Sequence, residues 1–117
     1  MNPNEFRNRT KALGLGIIRL TAELPKTRSG DVIVRQLLRS GTAVGASYRA
    51  ACRAKSPADF ISKMKIVEEE CDEAIYWIEI LIESDQIEQH LVDRLLKEAE
   101  EILAMVVSSI KAVRNRK

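Results

Sequence analysis

The sequence predicts an all-α protein, an antiparallel up-down-up-down four-helix bundle, and three observations carry that expectation. Apolar residues recur every three or four positions through four successive segments, and short signals built on Pro, Ser and Asp separate those segments. Aromatic residues make up only 4% of the chain, with five Gly and three Pro, a composition that disfavours a β sandwich or barrel. With 117 residues and 45% apolar content, the chain has material for one packed domain over 1–117 and too little for two.

The first helix is expected over about 3–24. Asn2-Pro3-Asn4-Glu5 supplies a cap, a proline at the first helical position and an acid in the first turn, ahead of Phe6, Thr10, Leu13, Ile17, Leu20 and Leu24. Pro25 ends it. The second helix is expected over about 30–55, opening near Ser29 with Ile33, Leu37, Ser40, Val44, Ser47 and Ala51 on one stripe. Ser56-Pro57-Ala58-Asp59 repeats the opening grammar of the first and starts a third helix over about 57–83. Its stripe is Phe60, Met64, Val67, Cys71, Ala74, Ile78 and Leu81. Asp85, with Glu88 three residues on, reads as the cap of a fourth helix over about 86–114, carrying Leu91, Leu95, Ile102, Val106 and Val113. Residues 114–117 read as a fraying basic tail. Rods of about 30 to 43 Å joined by short turns pack antiparallel, and near-heptad spacing suits left-handed bundle packing.

The net charge of +2 conceals two opposed blocks. Residues 1–67 carry a balance of +9, residues 68–101 a balance of −11, and residues 102–117 a balance of +4. The N-terminus lacks the pattern of a signal peptide, and the apolar run from Ile102 to Val107 is far shorter than the roughly 20 residues a bilayer span needs, so a cytoplasmic location without membrane contact is expected. Cys52 and Cys71 then read as free, buried thiols.

Catalytic chemistry is sparse. His90 is the one histidine and lies among Glu88, Gln89 and Asp93, which reads as an exposed helix position with no nucleophile beside it. A di-iron bundle needs Glu-x-x-His pairs, and position 87 is Ile. The acids Glu68, Glu69, Glu70, Asp72 and Glu73 fan around a helix instead of converging on a metal, so they are expected to be solvated or paired between subunits. Gly14-x-Gly16 has no preceding strand and is no dinucleotide loop. The expectation is a protein that is not an enzyme and has no metal or cofactor.

The basic block has a shape. Arg35, Arg39, Arg49 and Arg53 fall within a sector of about 80° along about 27 Å of the second helix. Lys55, Lys63 and Lys65 extend it. Such a line of cations can follow the phosphate backbone of RNA or DNA with a strong salt dependence; it can equally be a solvated face or a surface meeting the acidic block of a neighbouring subunit. Without interleaved aromatics, contact would be backbone-directed and weakly sequence-specific. The small-residue run from Ser40 to Ser47, with two glycines costing about 1 kcal/mol each in a helix, calls for a closely approaching helix.

Self-association is the second expectation. On the fourth helix Val92, Leu96, Ala99, Leu103, Val107 and Ile110 form a stripe beside the first, wider than one core ordinarily needs. Val92, Leu96, Leu103 and Val107 are therefore candidates for an interface between subunits, as is Trp77 beside Tyr76. The opposed charge blocks permit head-to-tail contacts that close into a ring if the rotation allows.

Leu24-Pro25-Lys26, Gln36-Leu37-Leu38-Arg39, the run from Ala43 to Ala50, Ser56 to Phe60, and Glu70, Glu73 and Trp77 occur in an order that resembles the proteins encoded in intervening sequences of bacterial 23S ribosomal RNA genes. That family is similar to the accessory variability determinant of diversity-generating retroelements. The resemblance implies a homopentameric barrel of four-helix bundles without catalytic residues. For the retroelement branch it further implies binding of nucleic acid and of a reverse transcriptase, with Arg35, Arg39, Arg49 and Arg53 as the matching candidates. The charge balance, less uniformly basic than that branch, places the chain with the intervening-sequence group.

Overall fold

The computed structural model describes residues 2–116; Lys117 of the expected basic tail lies outside the described residues. Four helices follow one another: α1 (Pro3–Ala22), α2 (Arg28–Ala51), α3 (Pro57–Glu83) and α4 (Gln89–Arg114). No strand occurs among the described residues. Their caps explain the boundaries. Asn2 accepts the amide of Glu5 at 2.8 Å, Thr27 that of Gly30 at 3.0 Å and Ser56 that of Asp59 at 3.1 Å, each satisfying an orphan donor of a first turn.

Three boundaries differ from expectation. α2 opens at Thr27, ahead of Ser29, because Thr27 stands three residues before the amide it caps. It closes at Ala51 instead of continuing to Lys55. Ser56 must be extended ahead of Pro57, and Asp59 reaches back to bind the amide of Lys55 at 3.0 Å, which draws that residue out of the helix. Cys52 is consequently exposed, not buried; Cys71 is buried as expected.

The third difference concerns Asp85, which does not cap α4. It has φ 60° and closes α3 in a Schellman arrangement: the amide of Gln86 bonds Leu81 O at 2.9 Å and that of Asp85 bonds Ile82 O at 3.1 Å. Ile87 is then buried as a plug, and α4 begins at Gln89 with no side-chain cap.

Cross-helix pairs give the topology. Gly45 of α2 faces Thr10 and Gly41 faces Ile17, so α1 and α2 run in opposite directions. Gln86 bonds Ser29 while Arg39 reaches Glu70 and Glu73, which sets α2 against α3. Arg9 meets Glu98 and Glu101 while Gly16 faces Leu95, which sets α1 against α4. Each connection has five residues and reaches at most about 18 Å, too short to return along a rod of about 30–40 Å. The result is an up-down-up-down bundle of 50 × 21 × 21 Å.

Its centre holds Leu13 and Ile17 of α1, Leu37 and Val44 of α2, Met64 and Ile78 of α3, and Ile102 and Val106 of α4, all fully buried or nearly so. Full burial of each large side chain contributes about 1.5–3 kcal/mol. The core face of α4 runs between the two stripes read from the sequence, through Val92, Ala99, Ile102, Val106 and Ile110, and Leu91 is 62% exposed. The buried hydroxyls of Thr10 and Ser40 bond the carbonyls of Phe6 and Gln36 one turn back.

Candidate nucleic-acid interface

The arginine stripe of the sequence is divided by the fold. Arg35, Arg39 and Arg49 lie on the outer side of α2 and are exposed. Arg53 and Lys55 stand beyond the end of the helix, in the turn to α3, so they leave the line and join the end of the bundle.

Arg39 is committed within the chain. Its guanidinium pairs with Glu70 at 3.2 Å and with Glu73, whose carboxylate also accepts the indole Nε1–H of Trp77 at 3.1 Å. Arg39, and then Trp77, hold the Glu73 carboxyl below its ordinary value. Glu70 and Glu73 are thus paired inside the protomer, which corrects the expectation of solvated or intersubunit acids at those two positions. Arg9, which the sequence did not single out, is engaged in the same way: its Nε donates to Glu98 at 2.7 Å and its Nη2 to Glu101 at 3.1 Å.

Two depressions gather five of the other cations. A groove between α1 and α2, of about 470 Å³, is lined by Arg7, Lys11 and Arg49 over a floor that includes Gly14, Thr42 and Gly45. A cavity of about 690 Å³ opens at the end of the bundle among Arg7, Lys55 and Arg116. Arg7 lines both, and among the described residues no carboxylate lines either. None of these five cations forms an ion pair among the described residues. Arg35 belongs to a third depression further along α2, shared with Lys26 and Asp31. Arg7 and Lys11 were legible as an i, i+4 pair; Arg116 joins them through packing alone.

The interface candidates of the sequence sit differently. Val92 is 0% exposed and belongs to the protomer's own core, so it cannot meet a second copy. Trp77, Leu96 and Leu103 are half-buried and pack against that core, and Val107 is half-buried. The exposed large apolar side chains are instead Leu15 and Ile18 on α1, Val32 on α2, Ile66 and Tyr76 on α3, and Leu91.

Reactive chemistry is thin among the described residues. His90 is exposed with Nδ1 3.2 Å from Glu88. No group of three metal-ligating side chains is assembled. The Cys71 thiol is buried, donates to Ala99 O at 3.3 Å and is pushed up to about 12 by burial, away from the thiolate form that a nucleophile needs. No helix among the described residues is long and apolar enough to cross a membrane.

The model of the 23S rRNA-intervening sequence protein family matches residues 3–108, from the first turn of α1 into the last turns of α4. The chain belongs to that family. A solved structure from a related family has the same shape. A crystal structure of a protein of unknown function from the S23 ribosomal protein family of Bacteroides thetaiotaomicron superposes with a TM-score of 0.86 at 33% identity, covering 95% of this chain and 99% of that one. A search of curated proteins finds no match. Nothing in the family or in the neighbour points to an enzymatic activity of this intervening-sequence protein.

Proposed function

We propose that the protein is a non-enzymatic, self-associating accessory factor that binds the phosphate backbone of RNA or DNA through the basic end of its bundle. The observation that carries this reading is the meeting at Arg7 of two depressions that no carboxylate of the described residues lines, bringing Lys11, Arg49, Lys55 and Arg116 together with Arg53 in the adjoining turn. Cations contributed by α1, α2, the α2–α3 turn and the segment after α4 suit a phosphate chain better than a straight line on one helix does. The family name, taken from intervening sequences of ribosomal RNA genes, gives RNA the first place among polyanions to try.

Fluorescence anisotropy with single-stranded RNA across a salt series tests it. With about four phosphates neutralised, log K is expected to fall against log salt with a slope of about −3. The doubly reversed variant Arg49→Glu, Arg53→Glu is expected to lose most of the binding. No binding of any RNA or DNA at low salt overturns the reading.

A second reading, a scaffold that binds only copies of itself, is favoured by one observation. Leu15 and Ile18 are exposed on the Lys11 and Arg35 side of α1 and α2, while Ile66 and Tyr76 are exposed on the side of α3 that carries the acids Glu69, Asp72 and Glu79. These two faces are complementary in both charge and apolar content, so head-to-tail assembly follows from one chain. Sedimentation after nuclease treatment separates the readings: a ring that persists, with no affinity for polyanions, supports the scaffold.

A further inference from the structure

We infer that the cavity at the basic end of the bundle binds a terminal nucleotide bearing a phosphomonoester, either at the end of a nucleic-acid strand or free. The inference rests on the nucleic-acid reading above and narrows it from backbone to strand end. The cavity's volume of about 690 Å³ falls within the roughly 300–1,000 Å³ of small-molecule sites. Its three cations come from three parts of the chain: Arg7 from α1, Lys55 from the α2–α3 turn and Arg116 from the segment after α4.

Cations converging on one depression suit a compact group of high charge. A phosphomonoester carries about −1.5 to −2, against a single charge on each internal diester. Among the described residues no carboxylate lines the cavity, and the acid of the adjacent first turn, Asp59, is engaged by Lys63 Nζ at 2.9 Å and the Lys55 amide at 3.0 Å. Helices α1 and α3 begin here, at Pro3 and Pro57, and α2 and α4 end here, so the helix dipoles offset one another and the three cations carry the attraction for an anion.

Apart from Ser56, Ser109 and the Tyr48 hydroxyl, the rest of the lining is largely apolar, which offers a base a surface to lie on. Phe6 and Tyr48 stack at 4.4 Å between centroids and 19° between planes to form part of the floor, and Phe60, Ala112 and Val113 form part of the wall. Cys52 also lines the cavity and is exposed, while Cys71 is buried, so the protein carries one accessible thiol at the proposed site.

The test uses the wild-type chain with one short single-stranded RNA in three forms, 5′-phosphorylated, 3′-phosphorylated and hydroxyl-ended, and adenosine monophosphate as the free nucleotide. At least one phosphorylated form is expected to bind about tenfold or more tightly than the hydroxyl-ended RNA and to slow thiol labelling of Cys52. Lys55→Glu and Arg116→Glu, each checked for unchanged helix content by circular dichroism, are expected to erase that preference. Protection of Cys52 by the monophosphate assigns the site to free nucleotide as well. Equal binding of phosphorylated and hydroxyl-ended RNA overturns the inference while leaving the backbone reading standing. Protection by the monophosphate without RNA binding does the reverse. Unchanged Cys52 labelling with phosphorylated RNA and with monophosphate, both at saturation, overturns it outright.

Discussion

Asp85 holds a backbone conformation that a side chain opposes, φ 60°, in order to close α3. The left-handed region costs an ordinary residue about 1–2 kcal/mol and costs glycine almost nothing, with Asp among the better-tolerated alternatives. Asp85→Gly is therefore expected to raise stability by up to about 1 kcal/mol, read as a higher denaturant midpoint with unchanged slope. Arg39 offers a contrasting case. Its partner Glu73 is held below the ordinary carboxylate value, so the stability it contributes is complete above the unfolded value of about 4.3 and fades as pH falls through the lower folded value. Arg39→Ala is expected to flatten that part of the acid-unfolding curve while leaving RNA affinity unchanged. A loss of RNA affinity in this variant would return Arg39 to the interface. The sequence identified Arg39 as basic and Glu73 as acidic, but their separation of 34 positions hid their pairing.

At the level of elements, the approach of α1 to α2 is set by small residues. A Cβ on Gly45 would stand 3.4 Å from the Thr10 carbonyl carbon, and one on Gly41 would collide with Cδ1 of the fully buried Ile17, whose side chain would have to shift. Gly45→Val is expected to cost about 1–3 kcal/mol in thermal or denaturant unfolding. A Cβ on Gly14 meets Thr42 Cα at an ordinary 3.6 Å, so Gly14→Ala is expected to be neutral or slightly stabilising through helix propensity. The run from Ser40 to Ser47 announced a close helix in the sequence; that the helix is α1 of the same chain is a matter of packing. Between α3 and α4 the buried Cys71 thiol is raised to about 12, so the protonated form is favoured on folding. Stability from this group is complete below the ordinary thiol value of about 8.5 and is lost as pH rises from there toward about 12. Cys71→Ala is expected to reduce the slope of alkaline unfolding, measured as midpoint against pH.

For the whole molecule, charge is arranged by face and by end. Arg7 and Lys11 of α1, Arg49 of α2, Arg53 and Lys55 of the α2–α3 turn and Arg116 after α4 gather at one end of the bundle, while Lys26 and Arg35 lie elsewhere. Replacing Arg49 and Lys55 together by Glu is expected to reduce RNA affinity at least about tenfold and to shrink the salt slope by about one for each phosphate no longer neutralised. The variant Leu15→Asp, Ile18→Asp is expected to shift sedimentation toward single protomers without altering helix content, because those side chains are exposed and contribute little to the core. An unchanged sedimentation coefficient would move the association surface elsewhere.

The order of amino acids was enough to set the number of helices, their succession, the caps at Asn2 and Ser56 and most of the core stripes of α1, α2 and α3, because apolar periodicity and capping are local and repeat within each segment. Packing between helices settled which charges remain available. Arg39 and Arg9 are neutralised by acids from other helices, Arg53 and Lys55 leave α2 where Asp59 reclaims the Lys55 amide, and Val92 is taken into the protomer's own core. The physical reason is distance: a pattern along one helix places a side chain on a face, but pairing and burial depend on what another helix, tens of residues away, brings against that face.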